Sequence, residues 1–432
     1  MSNLSQTQIN VIKPQTNYRY VVMLLLAGVI TINYVDRVNI GVAAPTLMKL
    51  FELSPAQMGI LMSAFFWSYV GCMLPIGWLL NRMGPKMIMF WSCLGWGLST
   101  ALTAAVSGFN SFFAVRVLLG VTESGVYPTC TRVASAWTPL RERTTATGIF
   151  DACSRLGNAV APPLVVWALL KWGWQMSFVI TGGLAVVYAF IWLYFYHEPE
   201  NHPKVSQSEL DYIRQDQITE TNDENTKHIP ILQLLTYKPI FLMSLGFFLY
   251  MYFWTTFNMW IPAYLVQAKG FSLKTMGFAA MYPYIAGVIS EAVGGYILDK
   301  WYQGGASLNL VRRTGQVFGM LGGAIALYLA VVAATPDMTV LWLTVSMGVI
   351  SFSAAQGWAI PTNIAPKGNV GTVAAMQGTI GNLASIAGPM VTGYVIGTSY
   401  GYDGALMLLV AGAAGAALVY SLIDYSKPVV PR

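Results

Sequence analysis

What most constrains this chain is a shortage of charge: of its 432 residues only 10% are charged, while 55% are hydrophobic. An ordinary soluble domain carries about 25% charged residues, and a body of this length needs them to face water. This chain cannot supply that surface, so its solvent is lipid. Its apolar residues fall into segments of roughly 20–27 residues, beginning near residues 19, 56, 86, 110, 142, 174, 239, 273, 311, 338, 370 and 402. As a helix each is long enough to cross about 30 Å of hydrocarbon. The pattern predicts an all-α membrane protein of twelve transmembrane helices.

The net charge of +6 is not a nucleic-acid footprint, because Lys and Arg are scattered singly between apolar runs. They are sorted by side instead. With the N-terminus in the cytoplasm, the cytoplasmic segments hold Lys13, Arg19, Arg82, Lys86, Arg141, Arg143, Lys204, Arg214, Lys227, Lys238, Lys300, Arg312, Arg313, Lys367, Lys427 and Arg432. The opposite face holds only Lys49, Lys171, Lys269 and Lys274. Sixteen against four sets the orientation by the positive-inside rule and puts both termini in the cytoplasm. The first 18 residues are polar and the apolar stretch after them is long enough to span, so no cleaved leader is expected.

Organisation follows from one interruption. A hydrophilic stretch at roughly 198–236, with His197 at its edge, holds eight of the eighteen acids together with His202 and His228. Domains are expected at 1–18 (tail), 19–197 (first six-helix bundle), 198–236 (linker), 237–426 (second bundle) and 427–432 (tail). Ser206-Gln-Ser-Glu209 before Leu210 and Ile213 is a capping-box pattern and predicts a short surface helix in what is otherwise read as a tether. The halves echo each other. Gly77-Trp-Leu-Leu-Asn81-Arg82 returns as Gly295-Tyr-Ile-Leu-Asp299-Lys300, and Pro139/Pro162 return at the same separation as Pro366/Pro389. Parallel six-span repeats with a site between them near the midplane are an arrangement of transporters.

Cys72, Cys93, Cys130 and Cys153 lie in apolar segments without CxxC spacing, so neither disulfide nor metal is implied. No GxxxxGK[ST] phosphate loop or Cys/His metal cluster is present, and no cofactor or enzymatic activity is expected. The chemistry sits in eight ionisable residues at membrane depth: Asp36, Arg37, Arg116, Glu123, Arg132, Asp151, Arg155 and Glu291. Each costs at least about 2.5–3.5 kcal/mol alone in lipid, so they must face one another or a cavity. Seven lie in the first half, which assigns charge to the first bundle and shape to the second. Arg116 and Glu123 are two helical turns apart and share a face. A carboxyl that moves between a cationic and an apolar setting changes its proton affinity and becomes a proton carrier. The histidines lie outside the spans, so Asp36 and Glu123 are the candidates for that role, with Arg116 beside them. The structural alternative is a static Asp36–Arg116 salt bridge.

Arg37 is the candidate for gripping an anion, because a guanidinium holds a carboxylate with two parallel hydrogen bonds, and Tyr34 lies one turn before it. Alternatively it neutralises Asp36, although neighbours in sequence point about 100° apart on a helix. Trp358, beside Gly357 and Pro361, is a candidate pocket residue. Arg155 has Asp151 one turn away on its own span as a candidate partner.

These residues resemble the anion:cation symporter branch of the major facilitator superfamily over nearly the whole chain. The resemblance rests on Asn33-Tyr34-Val35-Asp36-Arg37, Ser63-Ala-Phe-Phe-Trp-Ser-Tyr69, Arg116 to Glu123 with Pro128, Trp137-Thr-Pro-Leu-Arg-Glu-Arg143, Ser206-Gln-Ser-Glu209-Leu-Asp-Tyr-Ile213 and Trp260-Ile-Pro-Ala-Tyr264. It implies a monomeric bacterial inner-membrane symporter taking up protons with an organic anion, a sugar acid or related carboxylate such as galactonate. On it Asp36, Glu123 and Arg116 handle protons, Arg37, Tyr34 and Tyr69 bind the carboxylate, and Trp358 lines the far wall. The resemblance also sets spans 5 and 8 face to face, which implies for Arg155 a pair with Glu291 across the bundles instead, as a gate closing the cytoplasmic half. Ser154, Arg155 and Gln377 fall at or beside positions where relatives carry amides that contact polyol hydroxyls. With Gly378 at the position beside Gln377 and Met73 at one more, the departures leave room for a small dicarboxylate or an aromatic acid. Proton-antiport export is the other alternative. Asn81 stands where the family's loop signature has Asp.

Overall fold

The computed structural model describes residues 15–215, 229–366, 368–426 and 428–429. Of the basic residues assigned to a side above, Lys13, Lys227, Lys367, Lys427 and Arg432 lie outside them.

Among the described residues twelve helical spans are present, each starting within three residues of its expected position. Span 1 is Tyr18–Leu50, and spans 2 and 3 share the continuous helix Pro55–Leu102. Gly84 divides that helix at φ 76°, ψ 164°, a conformation that side chains with a Cβ rarely adopt, and Pro85 restarts it. Span 4 comes in two pieces, Phe109–Glu123 and Val126–Trp137. Spans 5 and 6 are Leu140–Trp172 and Trp174–Phe195. Span 7 is Lys238–Gln267, and span 8 is again broken, into Leu273–Ala279 and Tyr282–Gln303. Spans 9 to 12 are Leu308–Val331, Pro336–Ile364, Val370–Ile396 and Gly401–Ser421.

Length and apolarity alone identify nine membrane-crossing helical stretches among the described residues, one of them the Gly84-divided pair. Span 4 falls short because it carries Arg116, Glu123 and Arg132. Span 11 falls short because it spends positions on Gln377, Asn382, Ser385 and Thr392. Most of these polar side chains, Arg116, Glu123, Gln377, Ser385 and Thr392, are buried among the other spans, so tertiary burial supplies what composition lacks.

The apolar core divides in two, and each cluster reaches across the seam: the first takes in Met259, Trp260 and Ile396 of the second half, the second Val35, Val38 and Val165 of the first. The halves meet where span 1 packs on span 7, span 2 on span 11 and span 5 on span 8. At the far face, opposite the chain ends, the approach is backbone to backbone. A Cβ on Gly59 would lie 2.4 Å from the Pro389 carbonyl oxygen, and Gly393 stands equally close to that of Pro55. Ser63 Oγ donates to the Ile386 carbonyl (2.6 Å), and Asn158 Nδ2 donates to Asn258 Oδ1 (3.3 Å). The protein is closed at the far face.

The linker helix is Gln207–Arg214, capped by Ser206 Oγ, which accepts from the Glu209 amide (3.2 Å). Glu209 does not complete a box with Ser206. Its fully buried carboxylate accepts from the amides of Tyr18 (3.1 Å) and Arg19 (3.0 Å) and from Thr16 Oγ1 (2.5 Å), thereby capping span 1. Tyr212 donates to Glu142 at the start of span 5. What read as a tether is therefore a clamp on the first bundle. His202 packs against Tyr18 and Trp137, and burial, with His197 beside it, pushes its imidazole below the usual range.

Candidate functional site

Span 1 splits the two charges of its Asp36-Arg37 pair between two environments, as their angular offset requires. Asp36, 3% exposed, turns into the first bundle and accepts from Thr100 of span 3 and from Thr181 Oγ1 of span 6 (3.2 Å). Asn39, one turn on, braces that cluster by donating to Thr181 (2.9 Å) and to the Ser177 carbonyl (3.2 Å). Arg37 turns toward the space between the halves and forms a direct ion pair with Glu123 of span 4.

The Arg37 guanidinium stands among aromatic rings, 4.9 Å from the Tyr69 centroid, 5.1 Å from Tyr34, 5.2 Å from Phe65 and 6.0 Å from Tyr127. Ring faces stabilise a cation by about 0.5–2 kcal/mol each, more where water is excluded. Tyr127 donates its hydroxyl to Tyr34 (3.0 Å). The pair keeps spare hydrogen-bonding capacity: Arg37 Nη2, Glu123 Oε2 and both amide atoms of Asn33 are buried without a partner.

Arg116, two turns from Glu123 on the same span, makes no direct pair with it. Its Nε donates to the Leu61 carbonyl (3.2 Å) and its guanidinium lies 5.2 Å from the Phe65 centroid, with no carboxylate within ion-pair distance among the described residues. Two turns of helix are about 10 Å along the axis, too far for contact with Glu123, and Arg37 reaches that carboxylate first. The static Asp36–Arg116 bridge is absent. Both carboxyls act on Arg116 only at longer range.

A second charged cluster joins the halves. Arg155 Nη1 lies 2.6 Å from Glu291 Oε2 and 3.5 Å from Asp151 Oδ2, so both expected pairings are present together. Its guanidinium lies 5.1 Å from the Trp254 ring. The pair ties span 5 to span 8, and so joins the two halves at mid-span.

The second-bundle candidates divide. Trp358 is 48% exposed and packs edge-on against Phe247 (4.9 Å). Gln377 is fully buried, and its Nε2 donates to the Gly357 carbonyl (2.9 Å), mending the break in span 10. Ser154 is also buried. Gln377 Oε1 remains buried without a partner. Asn81, in the place of an aspartate, still accepts from Arg132 (3.0 Å) through its amide oxygen.

Sequence reasoning missed Thr100, Thr181 and Tyr127. A hydroxyl in an apolar span is unremarkable by itself. Tyr127, however, lies one turn past Glu123 in Gly125-Val-Tyr-Pro128, a break that could have flagged it. Gly397-Thr-Ser399-Tyr-Gly401 has the spacing of a hydrolase nucleophile elbow but forms the turn between spans 11 and 12, helix to helix, so it lacks the strand-to-helix context that motif needs.

The family model of the Major Facilitator Superfamily matches residues 26–311. The chain is 34% identical over 442 aligned positions to the probable galactarate/D-glucarate transporter of Escherichia coli (strain K12), covering 98% of this chain and 97% of that one. It is 29% identical to the D-galactonate transporter of Escherichia coli O6:H1, covering 96% and 97%. A bacterial homologue of the human lysosomal transporter Spinster, solved inward-facing and occupied, has the same fold, with a TM-score of 0.76 at 18% identity over 94% of this chain and 97% of that one. The chain belongs to the Major Facilitator Superfamily: it is a multi-pass membrane transporter and not an enzyme.

Proposed function

We propose that this transporter takes up a carboxylate-bearing organic anion, a sugar acid or close relative, across the bacterial inner membrane together with protons. The observation that carries the reading is the Arg37–Glu123 pair inside its aromatic cage. A protein carboxylate occupies the guanidinium that a substrate carboxylate would need. While Glu123 is ionised it holds Arg37. Once Glu123 is protonated it lets go, and the fork of Arg37 can close on an incoming carboxylate with two parallel hydrogen bonds. Loss of the proton reverses the exchange and expels the substrate. Proton and anion thus occupy the site together or not at all.

Asp36 is the second proton carrier, with the Thr100 and Thr181 hydroxyls as switchable partners that can donate to a carboxylate or accept from a carboxylic acid. Arg116 biases both carboxyls from a distance. The terminal face is cytoplasmic by the excess of Lys and Arg on its loops, so the conformation closed at the far face opens toward the cell interior. Two protons with one monoanion carry one net charge inward, worth about 2.3 kcal/mol per 100 mV. The names of the relatives support a sugar acid. In proteoliposomes an inward proton gradient should drive accumulation of the anion. Asp36→Asn and Glu123→Gln should each abolish accumulation, at least a hundredfold, while counterflow exchange survives in at least one of them. Full accumulation in both variants would remove the proposal.

A further inference from the structure

We infer that the cargo is a dicarboxylate held at two points, one carboxylate on Arg37 and the other on Arg155, with Glu123 and Glu291 as the internal carboxylates that vacate those places. The inference rests on the uptake reading above and extends it to the substrate class.

Arg155 and Glu291 repeat the design of the first pair. Arg155, with its side chain 4% exposed, is a guanidinium buried at mid-span, bound to a protein carboxylate and lying against an aromatic ring. Its Nε is buried without a hydrogen-bond partner, and Glu291 Oε2, although close enough for an ion pair, makes no aligned hydrogen bond. An unmet donor alone is no mark of a ligand, since Arg19 Nε in the linker clamp is unmet as well; what sets Arg155 apart is its place at mid-span between the halves, where a half-satisfied buried pair costs most. Leaving the fork of Arg155 incomplete makes sense if another carboxylate completes it.

The two arginines stand on the backbone at levels that suit one short molecule. A Cβ on Gly157 would lie 2.8 Å from Tyr34 Cβ, so these residues sit at one level on the neighbouring spans 1 and 5, which run in the same direction. Arg37 is three residues above that level and Arg155 two below, an axial offset of about 7.5 Å at about 1.5 Å per residue. A short-chain diacid bridges that offset, with its hydroxyls or methylenes beside the Tyr34–Tyr127 hydroxyl pair. Both arginines also feel the Tyr34 phenol.

Charge bookkeeping agrees. Arg37 faces the single carboxylate of Glu123, whereas Arg155 faces Asp151 from its own span and Glu291 from span 8, with the Tyr250 phenol of span 7 beside it. That cluster carries one negative charge too many until Glu291 takes a proton. A proton on Glu291 and one on Glu123 then balance the two charges of the diacid. Asp151 stays on Arg155 and holds it in position during the exchange.

The test compares galactarate with D-galactonate, the same carbon chain ending in a carboxylate or in a hydroxymethyl group, by calorimetric binding to the purified full-length protein. Wild type should bind galactarate at least tenfold more tightly. Because Arg155→Gln leaves Glu291 unpaired and risks misfolding, the decisive variant is Arg155→Gln with Glu291→Gln, which removes both charges at constant shape. It should lose the preference, with galactarate falling at least tenfold to the level of D-galactonate, which itself changes less than threefold. Equal binding of the two acids by wild type, binding of neither, or an undiminished preference in the double variant overturns the inference. Arg37→Gln should abolish binding of both acids. If it does while the double variant keeps its preference, the two-point site fails and the uptake reading stands.

Discussion

The two bundles bury polar groups in opposite ways. The first buries charge: Asp36, Arg116 and Glu123 are each at most 3% exposed, and Arg37 reaches in from the cavity to meet one of them. The second buries neutral pairs. Thr255 bonds Ser385 (2.7 Å), Tyr252 bonds Thr392 (3.3 Å), Gln316 donates to the Ser353 carbonyl (3.1 Å) and Gln377 to that of Gly357. A neutral pair is satisfied in one arrangement and gains nothing from a proton, whereas a carboxylate beside an arginine has two arrangements that a proton chooses between. The first bundle is therefore the part that senses protons and the second a shaped wall for it to close upon. Glu291 is the second bundle's one buried acid among the described residues, and it is tied to the first bundle by Arg155.

The largest effect that would test this division comes from the seam. Gly59 and Gly393 bring a backbone of each bundle into contact, and backbone cannot yield as a side chain can. Gly59→Leu should hold the far face open and reduce uptake at least fiftyfold, while each bundle keeps its own core and the protein stays folded. Accessibility of cysteines placed along span 2 to a membrane-impermeant thiol reagent reads the outcome. Normal uptake would mean the far face need not close as seen here.

Within the first bundle, Arg37→Lys should weaken anion binding at least tenfold at unchanged expression, since an ammonium lacks the planar two-donor fork. Retained affinity would shift the carboxylate elsewhere. The second bundle should be more forgiving. Gln377→Leu removes one neutral hydrogen bond, costs about 0.5–1.5 kcal/mol of stability, and should leave the pH dependence of transport where it is. A pH profile that moved with Gln377 would break the comparison. In the smallest effect, Glu209→Gln keeps the shape of the linker clamp but drops its charge from the end of span 1. It should lower thermal stability by about 1–2 kcal/mol with little change in substrate affinity.

The fold was legible because each span announces itself by length, and lipid leaves a twenty-residue apolar run only one way to satisfy its backbone. Even spans 4 and 8, each broken in two, were placed by their apolar flanks. Arg37 and Glu123 could each be singled out by the cost of burying charge, yet which cation meets which anion could not. Spacing along span 4 favoured Arg116, while packing between spans 1 and 4 delivers Arg37. Partners on different helices are fixed by interhelical geometry, which no single-span pattern encodes. The same holds for Thr100 and Thr181, ordinary residues until two other spans bring Asp36 between them. Glu209 was read as half of a local capping box, but a helix end nearly 200 positions earlier in the chain claimed its carboxylate instead.

The central claim is that substrate and proton compete through one guanidinium, and the direct measurement is proton uptake on binding. Calorimetric titration of the organic acid into purified protein, repeated in buffers of different ionisation enthalpy, counts the protons taken up per anion bound. The account predicts uptake of at least about half a proton near neutral pH in the wild type, and its loss in Glu123→Gln, which should bind the anion at least as tightly because Arg37 is already free. Binding without proton uptake in the wild type, or uptake unchanged in Glu123→Gln, would contradict it.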